Sequence, residues 1–444
     1  MGKKAKRVAK PKSETTSLYK LGWWVVAASS FAIPLAVSPA GKDSFRLPKD
    51  SLFRAEGVLA IALLALAAVW GRIPWREVRW KSPAVNIPLV AVIWTGITTA
   101  LSTNRALSTG SLRTVVFWAA IFIVTALILR RKSETALLPL LAAASINGVV
   151  YLFQELGIWN PFGMTTAFSG HNASSAFLGN ANDVGSALLG PVLAAFAMAI
   201  AAGSRRILYT SMAALLLVTL LVSRSITAIA AAIAGMAVMA TVRWGRRAAL
   251  PLLVLLLVTI GLAMSITPLR ARIHSLGTLA TRHDFDRLLG GRPSAFRAAT
   301  HMFLDHPVAG LGPGTFGWHY MAYKLQFQNR QTGDASDSDT VHLNFEEVHN
   351  DHLEVLAETG LPGYAILLAA LAFLGVISFR AIPAEAVTAA SPPQTVVARL
   401  LALPLAAGFF ILALAQYPLQ LASATSALLF LAAACVTWSR NENL

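Results

Sequence analysis

Twelve apolar stretches divide this chain, and one long polar stretch interrupts them. The apolar runs fall at about residues 21–39, 54–71, 83–101, 112–129, 135–157, 176–202, 207–223, 225–242, 248–266, 361–379, 400–416 and 424–438. Each approaches the roughly twenty residues that an α-helix needs to cross a hydrocarbon core. The pattern therefore predicts an all-α polytopic membrane protein with about 12 transmembrane helices. Between the ninth and tenth runs, Thr267 to Gly360 form a single large loop. The expected organisation is a basic tail (1–20), a nine-span membrane region (21–266), the large loop (267–360), and a three-span region with the C-terminus (361–444).

Composition agrees with this division. Of 444 residues, 56% are hydrophobic and only 13% charged, and the mean hydropathy of +0.60 excludes an ordinary soluble enzyme. The formal charge of +16 raises nucleic acid as a partner, but the cations lie mostly between apolar runs, where they act as orientation signals. We therefore expect a lipid bilayer, and no nucleic acid, as partner. With the N-terminus cytosolic, the inside segments collect 22 of the 37 Lys and Arg, the short outside loops seven and the large loop eight. Twelve spans return the C-terminus to the cytosol, and the large loop then faces the periplasm of a bacterial inner membrane. The Lys-rich start, MGKKAKRVAKPKSETTSLYK, reads as a retained cytosolic tail able to touch anionic headgroups. One cysteine, Cys435, offers neither a disulfide framework nor a cysteine metal site.

The polar residues that could carry chemistry gather on the outer face. The large loop holds eight of the nine histidines and eleven of the 21 acids, and His171 lies in another outside loop. Four features stand out. Arg224, in the tight hairpin LLVSRSITAIAA, must either snorkel or find a partner, and a guanidinium matches phosphate oxygens in a bidentate fork. Arg292, in GGRPS, precedes an amphipathic helical segment (Ala295, Phe296, Ala299, Met302, Phe303), so it reads as an anion site or as a solvated loop arginine. His349-Asn350-Asp351-His352 opens a helix that Gly360-Leu-Pro-Gly363 ends. A histidine there suits proton acceptance from a hydroxyl, and a metal site formed with His342 is the competing reading. Asn180, Asn182 and Asp183, at the outer end of the sixth run, read as substrate-facing groups or as polar contacts between helices. Gly310, Gly312 and Gly314 lack a preceding strand and read as a turn. No nucleotide or cofactor fingerprint is visible, so a reaction on this face has to use a pre-activated substrate.

Taken together, the order GNxN in a mid-chain span, SR at a tight outer hairpin, GR then HPxxGxGxGxF in the large loop, HNDxLxxxxExG before the next span and a late YPLQ resembles the O-antigen ligase and polymerase superfamily. The resemblance runs from about residue 176 to 438 and implies an all-helical fold of the membrane glycosyltransferase C-type class. It also implies metal-independent transfer of a glycan from an undecaprenyl-diphosphate donor, with no cofactor. Arg224 and Arg292 match the arginines that bind the donor diphosphate in the family, and His349 matches its essential histidine. Asn180, Asn182 and Asn350 are further candidates for substrate contact. Gln420 departs from the pattern, since relatives often carry histidine there. The expected acceptor is lipid A-core, as in lipopolysaccharide assembly. A growing glycan chain or a protein remains open as acceptor, and so, from another class, does a lipid-linked glycan transporter.

The charge count generates a topology prediction. Cysteine labelling of Ser336→Cys should succeed on intact cells, and labelling of Ser391→Cys should require membrane disruption; the reverse pattern would overturn the orientation.

Overall fold

The structure, a computed structural model, describes residues 13–39, 43–70, 82–160, 174–201, 203, 205–248, 261, 265, 267–281, 292–330, 344–380 and 392–439. Every regular element among them is helical. The membrane helices are α1 (Ser13–Ala32), α2 (Arg46–Val69), α3 (Pro83–Leu101), α4 (Arg105–Leu129), α5 (Leu138–Glu155), α6 (Ala181–Ala201), α7 (Arg206–Val222) and α8 (Ile226–Trp244). The large loop contributes α9 (Thr267–Thr281), α10 (Pro293–Asp305) and α11 (Phe316–Arg330), and then follow α12 (Asp351–Arg380), α13 (Pro393–Leu412) and α14 (Ala422–Trp438). Nine of the described helices are long and apolar enough to cross a membrane, and α7 and α14 are shorter apolar helices of 17 residues each. The run expected at 248–266 lies almost wholly outside the described residues.

Several helices begin earlier than the apolar pattern indicates, each at a polar segment. The second run reads from residue 54, yet α2 starts at Arg46, because the protein itself satisfies its polar first turns. Lys49, almost fully buried, donates its ammonium protons to the carbonyls of Ala36, Phe45 and Phe177. Likewise α13 starts at Pro393, seven residues before the eleventh apolar run, with Thr395, Val397 and Ala398 buried; residues 381–391 lie outside the described residues.

At the centre of the bundle stand α6 and α13, which pack on each other and on α8, with α7 against α6 and α12 against α13. Small residues permit this. Gly185 of α6 lies against Ala228 and Ser225, Gly235 of α8 against Leu193 and the Pro404 carbonyl, and Gly408 of α13 against the Ala231 carbonyl. In lipid, where apolar burial gives helices little reason to associate, such close approach supplies the dispersion contacts that hold a bundle.

The large loop forms a small core of its own on this frame. Ala295, Ala299 and Met302 of α10 are fully buried with Phe316, Tyr320, Val348 and Ala357, the amphipathic arrangement expected from the sequence. The glycine segment 310–314 is a turn, as its sequence suggests, and it is pinned to the first part of α12. Leu311 and Gly312 donate to the carbonyls of Ala357 and Glu358, and the Glu358 carboxylate accepts from the amides of Gly314 and Phe316. At Gly360 the helix kinks with φ +67, and Leu361 donates to the Pro307 carbonyl at 2.8 Å.

A Cβ on Gly360 would stand 2.1 Å from the Val308 oxygen, in a backbone conformation that only glycine adopts freely. Gly360→Ala should therefore lose at least ~1–3 kcal/mol, read as a lower thermal midpoint in detergent. Gly96→Ala, where a Cβ meets nothing within 4 Å, should leave the midpoint unchanged or raise it.

Candidate active site

Three segments far apart in sequence are tied together around His349. The imidazole stands on a residue in the left-handed region, φ +57, immediately before α12. Asn350 caps that helix, its Oδ1 accepting from the Leu353 amide at 3.0 Å, while its Nδ2 donates to the Leu414 carbonyl at 2.9 Å. The Asp351 amide donates to Ala413, and the Asp351 carboxylate accepts from the Leu419 amide. Glu354 accepts from the Val348 amide with one oxygen and from Gln420 Nε2 with the other, at 2.9 and 2.8 Å. Arg292, at the start of α10, donates through Nη1 to the Ala415 carbonyl at 2.7 Å. The turn from Ala413 to Gln420 is thus bonded to both the histidine segment and the arginine.

The ring of His349 is lodged edge-on between aromatic rings, Tyr417 at 4.4 Å and Phe345 at 5.7 Å between centroids. Its Nδ1 is buried and has no hydrogen-bond partner. Neither Asn350 nor Asp351 orients the ring; the aromatic slot does. Burial, then the Arg292 charge, then that of Arg46, push the imidazole down to about 3, so it is neutral at ordinary pH. Burial also raises the Tyr417 phenol, and Asp183 adds to the effect.

Arg46 is the residue that sequence reasoning missed. At the start of α2, it donates to the Glu347 carboxylate at 2.8 Å and to the Tyr417 hydroxyl, and its guanidinium lies 5.2 Å from the centre of the Tyr417 ring. A signal was present in the charge pattern. Lys42, Arg46, Lys49 and Arg54 place four of the seven short-loop cations in one outside segment, against the usual bias. Tyr417 opens the YPLQ segment that the resemblance includes, whereas Glu347 carried no comparable signal.

The expected residues divide into two groups. Arg292 and His349 come together, with Asn350 beneath them as cap and anchor. Asn180 caps α6, accepting from the amides of Asn182 and Asp183 at 2.8 and 3.0 Å, and Asn182 is half-buried in the first turn. Asp183, fully buried, is near enough to act electrostatically on Arg46, Lys49 and Tyr417. Arg224 also has a left-handed backbone, φ +58, but its guanidinium is paired with Glu155 at the end of α5, and its charge does not figure among those acting on His349. Of the competing metal set, His342 lies outside the described residues, and His352 is held separately, Nε2 at 2.9 Å from the Phe410 carbonyl and its ring on Phe410 and Tyr364. Gln420 has a definite partner in Glu354.

Residues 191–368 match a family model described as O-antigen ligase. That segment, 178 of the 444 residues, is similar to the O-antigen ligase family. No curated protein sequence matches it. The matched segment includes Arg224, Arg292, the glycine turn and His349, whereas Arg46, Asp183 and Tyr417 lie outside it, Arg46 and Asp183 on helices and Tyr417 on the 413–420 turn. Beside this polar cluster, within the bundle, an apolar cavity of about 300 Å³ is lined by residues including Trp94, Phe122, Val355, Thr359, Leu367 and Phe409.

The neutral histidine has a linkage consequence for stability. Its folded pKa of about 3 lies below the free value of 6.5, so between these pH values the unfolded chain binds a proton that the folded chain refuses. Stability should fall as pH drops through that window. Thermal melts of purified protein should show this decline, and His349→Gln should flatten it.

Proposed function

We propose that this protein is a glycosyltransferase that moves a glycan from an undecaprenyl-diphosphate donor to an acceptor hydroxyl at the periplasmic face of the inner membrane, with lipid A-core as acceptor. The observation that carries the reading is a neutral imidazole with an unpartnered Nδ1, set beside the guanidinium of Arg292 at the head of a membrane helix. The similarity to the O-antigen ligase family supports the reaction class, and the apolar cavity against α12 suits a lipid-linked substrate.

In this scheme His349 Nδ1 takes the proton of the acceptor hydroxyl as its oxygen bonds to the sugar C1. The C1–O bond to the diphosphate breaks, and its electron pair leaves with undecaprenyl diphosphate, whose negative charge rises by one. Arg292 meets that growing charge, and a fixed guanidinium in a dry site stabilises it without reorganisation. Bound diphosphate also offsets the positive charge that suppresses His349, so donor binding makes the imidazole a better base. Arg224, already neutralised by Glu155, serves chiefly to hold the outer hairpin of α7 and α8 to the end of α5.

A purified-protein assay with synthetic polyprenyl-diphosphate glycan and, in parallel, lipid A-core, a glycan chain and a pilin-like protein tests both reaction and acceptor. His349→Ala should lower turnover about 100-fold or more, with donor binding largely kept and a smaller loss in His352→Ala. Arg292→Ala should cost about 2–4 kcal/mol of transition-state stabilisation, with Arg292→Lys restoring only part, because an ammonium lacks the bidentate fork. Chelator should leave the rate unchanged; loss in EDTA restored by zinc or magnesium would revive the metal reading of His342, His349 and His352.

A further inference from the structure

Two guanidinium groups bear on His349, but only Arg292 belongs to the segment that matches the ligase family. The other, Arg46, comes from α2 and is engaged on two sides. Its Nη1 donates to Glu347 Oε1 and its Nη2 to the Tyr417 hydroxyl. This pair is not sealed into the core, since the side chains of Arg46 and Glu347 are 34% and 21% exposed. A guanidinium presents the same fork to a carboxylate as to a phosphate. Glu347 lies two residues before His349, so its carboxylate holds the Arg46 fork beside the imidazole.

The charge balance of the pocket points the same way. Lys49, buried and hydrogen-bonded to three carbonyls, and Arg46 both act on the buried carboxylate of Asp183. Lys49, Arg46 and Arg292 are thus three cations against the two carboxylates of Asp183 and Glu347. A sugar-diphosphate lipid is a diester with two ionised oxygens. With Glu347 in place the pocket has one positive charge to offer it, and with Glu347 withdrawn it has two.

We propose that Arg46 and the Tyr417 hydroxyl form a second phosphate-binding arm facing Arg292, and that Glu347 holds this arm in the ligand-free state where a diphosphate oxygen docks. The proposal rests on the glycosyl-transfer reading for the identity of the donor, but the anion site itself does not. Tyr417 then has two functions: its ring walls the imidazole slot, and its hydroxyl bridges Arg46 to the ligand. Arg224 has no part in this arm: it pairs with Glu155, and its charge is not among those acting on His349 or Tyr417.

The test uses full-length protein in detergent and two readouts, binding of inorganic pyrophosphate and donor KM against kcat in the transfer assay. Arg46→Ala should weaken pyrophosphate binding and raise donor KM by tenfold or more, with Arg46→Lys recovering part and Tyr417→Phe giving a smaller shift in the same direction. Glu347→Gln should act oppositely, tightening pyrophosphate binding and lowering donor KM by about threefold, since it removes the competing charge and leaves a neutral amide in its place. A purely structural ion pair gives a different pattern: Arg46→Ala and Glu347→Gln would both lower the thermal midpoint and neither would shift pyrophosphate affinity, which would overturn the proposal. Wild-type pyrophosphate binding in Arg46→Ala would overturn it equally. If the wild-type protein transfers no glycan yet binds pyrophosphate in an Arg46-dependent way, the transfer reading fails and the anion arm stands; if transfer proceeds and depends on Arg292 but not Arg46, the reverse holds.

Discussion

A carboxylate buried away from cations must have its oxygens met by N–H donors, or its burial costs several kcal/mol. Helix α12 buries three, Asp351, Glu354 and Glu358, at successive positions along one side, and none forms an ion pair among the described residues. Each is satisfied by a different piece of chain. Asp351 takes the Leu419 amide, Glu354 takes the Val348 amide and the Gln420 side chain, and Glu358 takes the amides of Gly314 and Phe316. The need to satisfy these oxygens is what draws the glycine turn, the histidine segment and the 413–420 turn onto one helix. Since that helix also enters the bundle against α13 and α3, the outer pocket is fixed to the membrane frame.

What this scaffold holds in place is electrostatically unfavourable in the absence of ligand. Two guanidiniums flank a desolvated imidazole whose base nitrogen has no partner, and the backbone beneath it is left-handed. Strain and unmet charge of this kind persist only where surrounding contacts over-determine the geometry. Here those contacts are the Asn350 cap, the Arg292 bond to Ala415 and the aromatic slot of Phe345 and Tyr417. In the proposed reaction an anion taken up by the arginines relieves the repulsion, and substrate binding and proton acceptance are then coupled through charge.

The two sides of α12 also differ in chemistry. Its carboxylate side faces the polar turn and the loop core, while Val355 and Thr359 line the apolar cavity with residues of α3 and α4. A molecule with a charged head and a long apolar tail finds both environments within a few residues of each other. Close approach at Gly185, Gly235 and Gly408 holds α6, α8 and α13 together.

The order of residues along the chain determined the helical class, the membrane frame and the interruption by a large loop, and marked Arg292 and His349 as candidates. These are legible because hydropathy is a local sum over about twenty residues and because the loop motifs are compact. The polar starts of α2 and α13 were not legible, since a buried Lys49 or Thr395 reads as solvated until its partners are known. Only the tertiary structure decided that Arg224 is taken by Glu155 and that Arg46 stands in the pocket, bonded to a tyrosine 371 positions away. A charge acts through space with an energy set by distance and local dielectric, and neither quantity is written in the spacing of residues along the chain.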